Sequence, residues 1–153
     1  MVWRIKWWTL FVLIIPIFSL ALPKGVSPVE FKKKKIKIND RIIQVELAES
    51  SSQQERGLMY RSKLEDDQGM LFIFPDERVR NFWMKNTYID LSIGYFDKNR
   101  KLRIIIDMAA TSLIEKADPQ TYPSQYPAQY ALEMKKGWFK KNKVNPGDQF
   151  DWY

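Results

Sequence analysis

The sequence predicts a mainly β, single-domain fold, a β-sandwich or jelly-roll-like barrel with one or two short helices. Three observations carry that reading. Short runs alternate apolar with polar residues, as in Ile43-Gln44-Val45-Glu46-Leu47, which is the period of a half-buried strand. Turn signals such as Asn39-Asp40 and Asn145-Pro146-Gly147-Asp148 separate the runs. Long polar loops and little helical pattern fill the remainder, as in all-β sandwiches and barrels.

From the N-terminus, Arg4 and Lys6 precede WWTLFVLIIPIFSLAL, residues 7–22, an uncharged apolar run of 16. A membrane-spanning helix needs about 20 residues. The small residues around Ala21 fit a cleavage site, so residues 1–21 read as an export signal peptide and the protein as periplasmic or extracellular. The alternative is an inner-membrane anchor formed by residues 7–22. No cysteine follows the run, which excludes a bacterial lipoprotein. Residues 22–33, with Pro23 and Gly25, read as a linker, and residues 34–153 as one β domain.

Within that domain, Ile36 and Ile38 alternate with lysines, and Ile43, Val45 and Leu47 alternate beyond Asn39-Asp40. Residues 34–48 therefore form a first hairpin. Ser50 to Ser52 can cap a helix of one or two turns through Arg56, ending near Gly57. GMLFIF, residues 69–74, reads as a buried strand closed by Pro75, with PDERVR as a charged loop. Strand signals return at 80–85 and 88–96, where Ile89, Leu91, Ile93 and Tyr95 share one face. A polar turn and Leu102 to Ile106 complete a second hairpin over 88–108. Residues 109–127 hold Pro119, Pro123 and Pro127 and read as a long ordered loop. YALEM, residues 130–134, is another strand. Gly137 opens a helical turn, Asn145 to Asp148 form a turn, and QFDWY ends the sheet.

The 153 residues include neither cysteine nor histidine. A Ser-His-Asp triad, a Cys-His pair and zinc sites of Cys and His are thereby excluded. The formal charge is +7, and Lys32 to Lys35 concentrate part of it. They could attract an anionic membrane surface or an envelope polymer. A solvated segment leading into a strand explains them more simply. No nucleic-acid module is present, and neither a metal nor a cofactor is expected. Met59, Met70, Met84, Met108 and Met134 would bind Cu(I) only by converging, and methionine ordinarily fills core gaps.

Four motifs occur in order: ERGLMYRSKL at 55–64, GMLFIF at 69–74, FWMKNTYIDL at 82–91 and TYPSQYPAQYALE at 121–133, with Gly147-Asp148 near the end. Together they resemble the family called domain of unknown function 192, over nearly all of the β domain. The resemblance implies a compact, mainly β, often exported fold and brings no established activity. Two positions depart from the family pattern: Asp90 stands where a proline is usual, and Ser92 where an aspartate is usual. The stretch MKKGWFKKNK, residues 134–143, is also unusually basic.

The candidate site residues come from these motifs. Lys85, Asn86 and Thr87 interrupt an apolar segment just after Trp83 and Met84. Read functionally, Lys85, Asn86 and Glu133 surround a ligand pocket walled by Trp83 and Tyr130. Read structurally, Asn86 and Thr87 form a buried hydrogen-bonded corner, and Lys85 pairs with Glu133. RGLMYR supplies Arg56, Met59 and Arg61. Either arginine could hold an anionic ligand, or both are surface arginines paired with Glu55, Asp66 or Asp67. No spacing selects a pair of catalytic carboxylates. The reading that follows is a non-catalytic exported domain that binds a small molecule or an envelope component. Its alternatives are an envelope enzyme using Lys85 or Glu133 as base, with Arg56 holding an anionic substrate, and an accessory partner of another envelope protein.

Overall fold

The computed structural model describes residues 29–111 and 120–153. The segment read as a signal peptide or anchor, most of the linker and residues 112–119 of the long loop lie outside the described residues.

Among the described residues, nine strands and two short helices follow one another as β1 (Lys32–Ile38), β2 (Arg41–Ala48), α1 (Ser51–Arg56), β3 (Gln68–Arg78), β4 (Asn81–Trp83), β5 (Leu91–Phe96), β6 (Leu102–Met108), β7 (Thr121–Pro123), β8 (Ala128–Lys135), α2 (Trp138–Lys141) and β9 (Phe150–Trp152). Seven strands form one sheet in the order β6-β5-β8-β3-β2-β1-β9, and β4 pairs with β7 as a separate ribbon. The mainly β architecture takes the form of a curled half-barrel. At one end its two edges meet: Lys101, just before β6, bridges Gln149, just before β9. The Leu102 amide also donates to the Asp148 carbonyl at 2.7 Å.

Local chemistry accounts for the elements. β1 and β2 pair across the Asn39-Asp40 turn, with Ile36 opposite Ile43. A capping box starts α1: Ser50 Oγ accepts from the Gln53 amide and Gln53 Oε1 accepts from the Ser50 amide. Gly57 ends it at φ +45. In the final turn Pro146 and Gly147, at φ +105, are the central residues, and the Asp148 amide donates back to the Asn145 carbonyl at 3.0 Å.

Both faces of the sheet are packed. Inside the curl lie Ile36, Ile38, Val45, Leu71, Phe96 and Leu132, plugged by Trp138 and Phe139 of α2. Phe139 lies so close to Gly94 that a Cβ there would stand 2.8 Å from the ring. On the other face, Met70, Phe72, Leu91, Ile93 and Tyr95 pack beneath Leu58, Leu64, Met84 and Tyr122.

Several boundaries differ from those read in the sequence. β1 begins at Lys32, two residues inside the presumed linker, and Lys32 to Lys35 are exposed strand residues. β3 does not stop at Pro75 but runs on to Arg78. Its register against β8 shifts between Ile73 and Arg78, so the proline sits where the ladder is interrupted. β5 starts at Leu91, not at residue 88. A similar shift between Tyr95 and Phe96 puts Leu102 inside the curl, while Ile104 and Ile106 pack on the opposite face. The presumed long loop contains β7, which pairs Tyr122 with Phe82. β2 and β3 run parallel across the α1 connection.

Candidate functional site

Glu133 lies near the middle of β8, opposite Met70 on β3 and Ile93 on β5. Residues directly opposite in adjacent strands share a face. The carboxyl therefore points into the layer covered by α1, the segment after it and the β4–β7 ribbon. The residue is 4% exposed. Among the described residues no side chain or amide donates a hydrogen bond to it, yet its oxygens are not sealed off, because it opens onto a cavity of about 380 Å³. Burial pushes the Glu133 carboxyl up to about 8, with the Arg61 charge drawing it partly back. The Tyr95 hydroxyl donates to the Tyr122 carbonyl at 2.6 Å. Burial, with the nearby Glu133 charge, pushes this phenol up as well.

The cavity lies between α1 with its following turn and the β3–β4 region. Phe72, Phe74, Phe82 and Leu58 give it an apolar lining. Phe82 meets Phe72 edge to face at 4.8 Å and Tyr95 at 5.7 Å. Gln54 lines one side, its Nε2 held by the Ile73 carbonyl at 2.9 Å. Arg78 and Arg80 line the other. Arg80 is buried and committed: Nε donates to the Ala128 carbonyl at 3.0 Å, Nη2 pairs with Asp76 at 2.7 Å, and the guanidinium stacks 4.1 Å over Phe74.

The residues singled out in the sequence are only partly brought together. Arg56, Met59, Trp83, Thr87 and Glu133 all line this cavity. Trp83 stands at its edge, 44% exposed. Arg61 lies outside, in an adjoining cavity, where it forms a half-buried ion pair with Glu46. Its partner is thus not Glu55, Asp66 or Asp67. Asp66 is held by Lys135 and Lys141, which lower its carboxyl to about 2. Lys85 does not pair with Glu133. It is an exposed residue with its ammonium 5.3 Å from the centre of the Trp83 ring. Tyr130 packs inside the curl against Phe150, with ring centres 5.3 Å apart, on the face opposite Glu133.

Asn86 is an architectural corner. It sits at φ +52, accepts the Tyr60 amide on its carbonyl at 2.8 Å, and donates from Nδ2 to the Tyr60 hydroxyl at 2.8 Å. Tyr60 is itself at φ +64. The pair latches the segment after α1 onto the turn after β4. Thr87 closes that turn, its amide donating to the Met84 carbonyl at 3.1 Å. The two unusual positions have structural partners too. Asp90 accepts the Ala110 amide at 2.8 Å, which helps hold its carboxyl below the usual range. Ser92 donates to Asp107 at 2.5 Å and accepts the Gly137 amide at 2.8 Å, so it ties β5 to β6 and to the start of α2.

The sequence reading missed the aromatic lining, Gln54, Arg78 and Arg80. One signal was available: a lone carboxylate inside the apolar strand YALEM is costly unless something uses it. Among the described residues no three acidic side chains converge as a metal site would require.

Comparisons with known proteins agree with this fold. A proposed transcription regulator from Sinorhizobium meliloti 1021 is 32% identical, with a TM-score of 0.74 covering 82% of this chain and 98% of that one. A protein of unknown function from Novosphingobium aromaticivorans DSM 12444 is 28% identical, with a TM-score of 0.67 covering 84% of this chain and 91% of that one. No curated protein matches the chain. The profile of DUF192, described as "Uncharacterized ACR", matches residues 34–152. This chain, from the first hairpin to the last strand, therefore belongs to the DUF192 family of uncharacterised proteins.

Proposed function

We propose that the domain is a small-molecule binding module of the cell envelope, with the cavity above Glu133 as its site. The observation that carries this is the Glu133 carboxyl, buried without a partner among the described residues and open to an apolar cavity. An apolar side chain opposite Met70 and Ile93 would serve the core better, because burying an unpaired polar group costs about 1–3 kcal/mol. Groups kept at a cost to the fold are characteristic of binding sites. The volume of about 380 Å³ is that of a small-ligand site. Placement in the envelope rests on the apolar run at residues 7–22, as a signal peptide or an anchor.

The test is a calorimetric screen of a broad ligand panel, wall and surface glycan fragments included, against the purified protein and its Glu133→Leu and Phe82→Ala variants. The expected result is a ligand whose affinity falls in both variants. A panel without a single binder, or a binder indifferent to both substitutions, would overturn the proposal.

A further inference from the structure

Six of the seven arginines in the described residues face a carboxylate: Arg41 with Asp67, Arg61 with Glu46, Arg78 and Arg80 with Asp76, Arg100 with Asp151, and Arg103 with Asp97. Arg56 is the exception. Among the described residues its guanidinium has neither a salt bridge nor a side-chain hydrogen bond. It lies over the Tyr60 ring, 4.6 Å from the ring centre, as a cation–π contact. Tyr60 is in turn latched at both its amide and its hydroxyl by Asn86. A guanidinium seated over a ring, with no ion-pair or side-chain partner among the described residues, keeps its N–H fork free for a planar or tetrahedral oxyanion.

Arg56 lines the same cavity as Glu133. The cavity thus holds two polar groups of different kinds that have no partner among the described residues, one buried at its base and one exposed on its wall, with phenylalanine rings alongside. Besides Arg56 it is bordered by Arg78 and Arg80, against Glu55 and the Asp76 that the latter two share. Arg78 and Arg80 are neutralised by Asp76, so among the described residues Arg56 is the cation of this lining with no ion-pair partner.

Building on the binding role proposed above, we infer that the site selects a compact ring compound carrying one oxyanion group, a carboxylate or a phosphate. That group pairs with Arg56, the ring lies against Phe72 and Phe82, and a polar ring substituent meets the Glu133 carboxyl. A bidentate contact to a guanidinium distinguishes an acid from its amide, because the amide offers only one oxygen and no charge.

The experiment is calorimetric titration of the purified full-length protein with matched sets of monocyclic compounds, each as the carboxylic acid, its primary amide and the corresponding phosphate monoester. The proteins compared are the wild type, Arg56→Gln, Arg56→Lys and, as a control for general charge, Lys98→Gln, an exposed residue that does not border the cavity. The expected result is that an acid or a phosphate ester binds about tenfold or more tightly than the amide. Arg56→Gln removes that preference, Arg56→Lys restores part of it, and Lys98→Gln retains it. Whichever oxyanion binds more tightly in the wild type identifies the class. Amides that bind as tightly as acids, or a preference that survives Arg56→Gln, would overturn the inference while leaving the binding role intact. A set with no binder of any kind would overturn the inference, and the broad panel above would then decide the role separately.

Discussion

Glu133→Gln should make stability independent of pH across a range where the wild-type protein loses it. Burial raises the folded-state value from 4.5 to about 8, and the unfolded chain keeps an ordinary carboxyl. Between those values the folded protein binds a proton that the unfolded chain has released. Unfolding then releases a proton, so stability falls as pH rises. The full cost is reached above pH 8 and is absent below about pH 4. At about 1.4 kcal/mol per unit, the displacement corresponds to a loss on the order of 3–5 kcal/mol between pH 5 and 9. The window is unusually clean. The chain has no histidine, so apart from the α-amino group no ordinary side chain titrates there. The depressed carboxyls of Asp66, Asp76 and Asp90 exert their effect at lower pH, and Lys135, raised by Asp66, exerts its own at higher pH. Glutamine has the same shape and does not ionise. Urea unfolding at pH 5, 7 and 9 should show a falling midpoint for the wild type and a level one for Glu133→Gln, with the variant ahead at pH 9. A wild-type midpoint that is level or rises over this range would refute the reasoning, because the carboxyl would then be solvated or paired in the fold.

Further expectations concern the corner and the sheet. Asn86→Ala should cost about 1–3 kcal/mol in thermal unfolding, from the left-handed backbone and the lost bond to Tyr60, and Asn86→Gly should recover the backbone part. Lys85→Met, by contrast, should stay within about 0.5 kcal/mol of the wild type, since the residue is exposed and unpaired with Glu133. Gly69→Ala should destabilise by about 3 kcal/mol or more in chemical denaturation: its Cβ would stand 2.5 Å from the Glu133 carbonyl and 2.3 Å from Met134 Sδ, and the carbonyl cannot step aside.

Much of this protein is legible in its residues because the signals are local. The β1–β2 hairpin follows from alternation around Asn39-Asp40, α1 from the Ser50 and Gln53 capping box, and the last turn from Pro146-Gly147. The absence of histidine and cysteine restricts the chemistry regardless of the fold. Even one site error was avoidable from periodicity. Tyr130 and Glu133 are three apart on one strand and so face opposite sides. What local signals cannot carry is pairing between distant segments. The parallel union of β2 with β3, the meeting of β6 and β9 edges, and the pairing of β7, within a proline-rich stretch, with β4 all depend on partners far along the chain. The site is of the same kind. Arg56 from a helix end, Phe82 from the ribbon and Glu133 from a central strand share one cavity because the curl of the sheet brings their elements together. Composition and spacing determined which chemistries this chain could hold. Only tertiary structure decided that Lys85 would lie in solvent, Arg61 would be claimed by Glu46, and Glu133 would be buried with no ion-pair partner among the described residues. Burial and pairing are properties of neighbours, and distant neighbours are chosen by the fold.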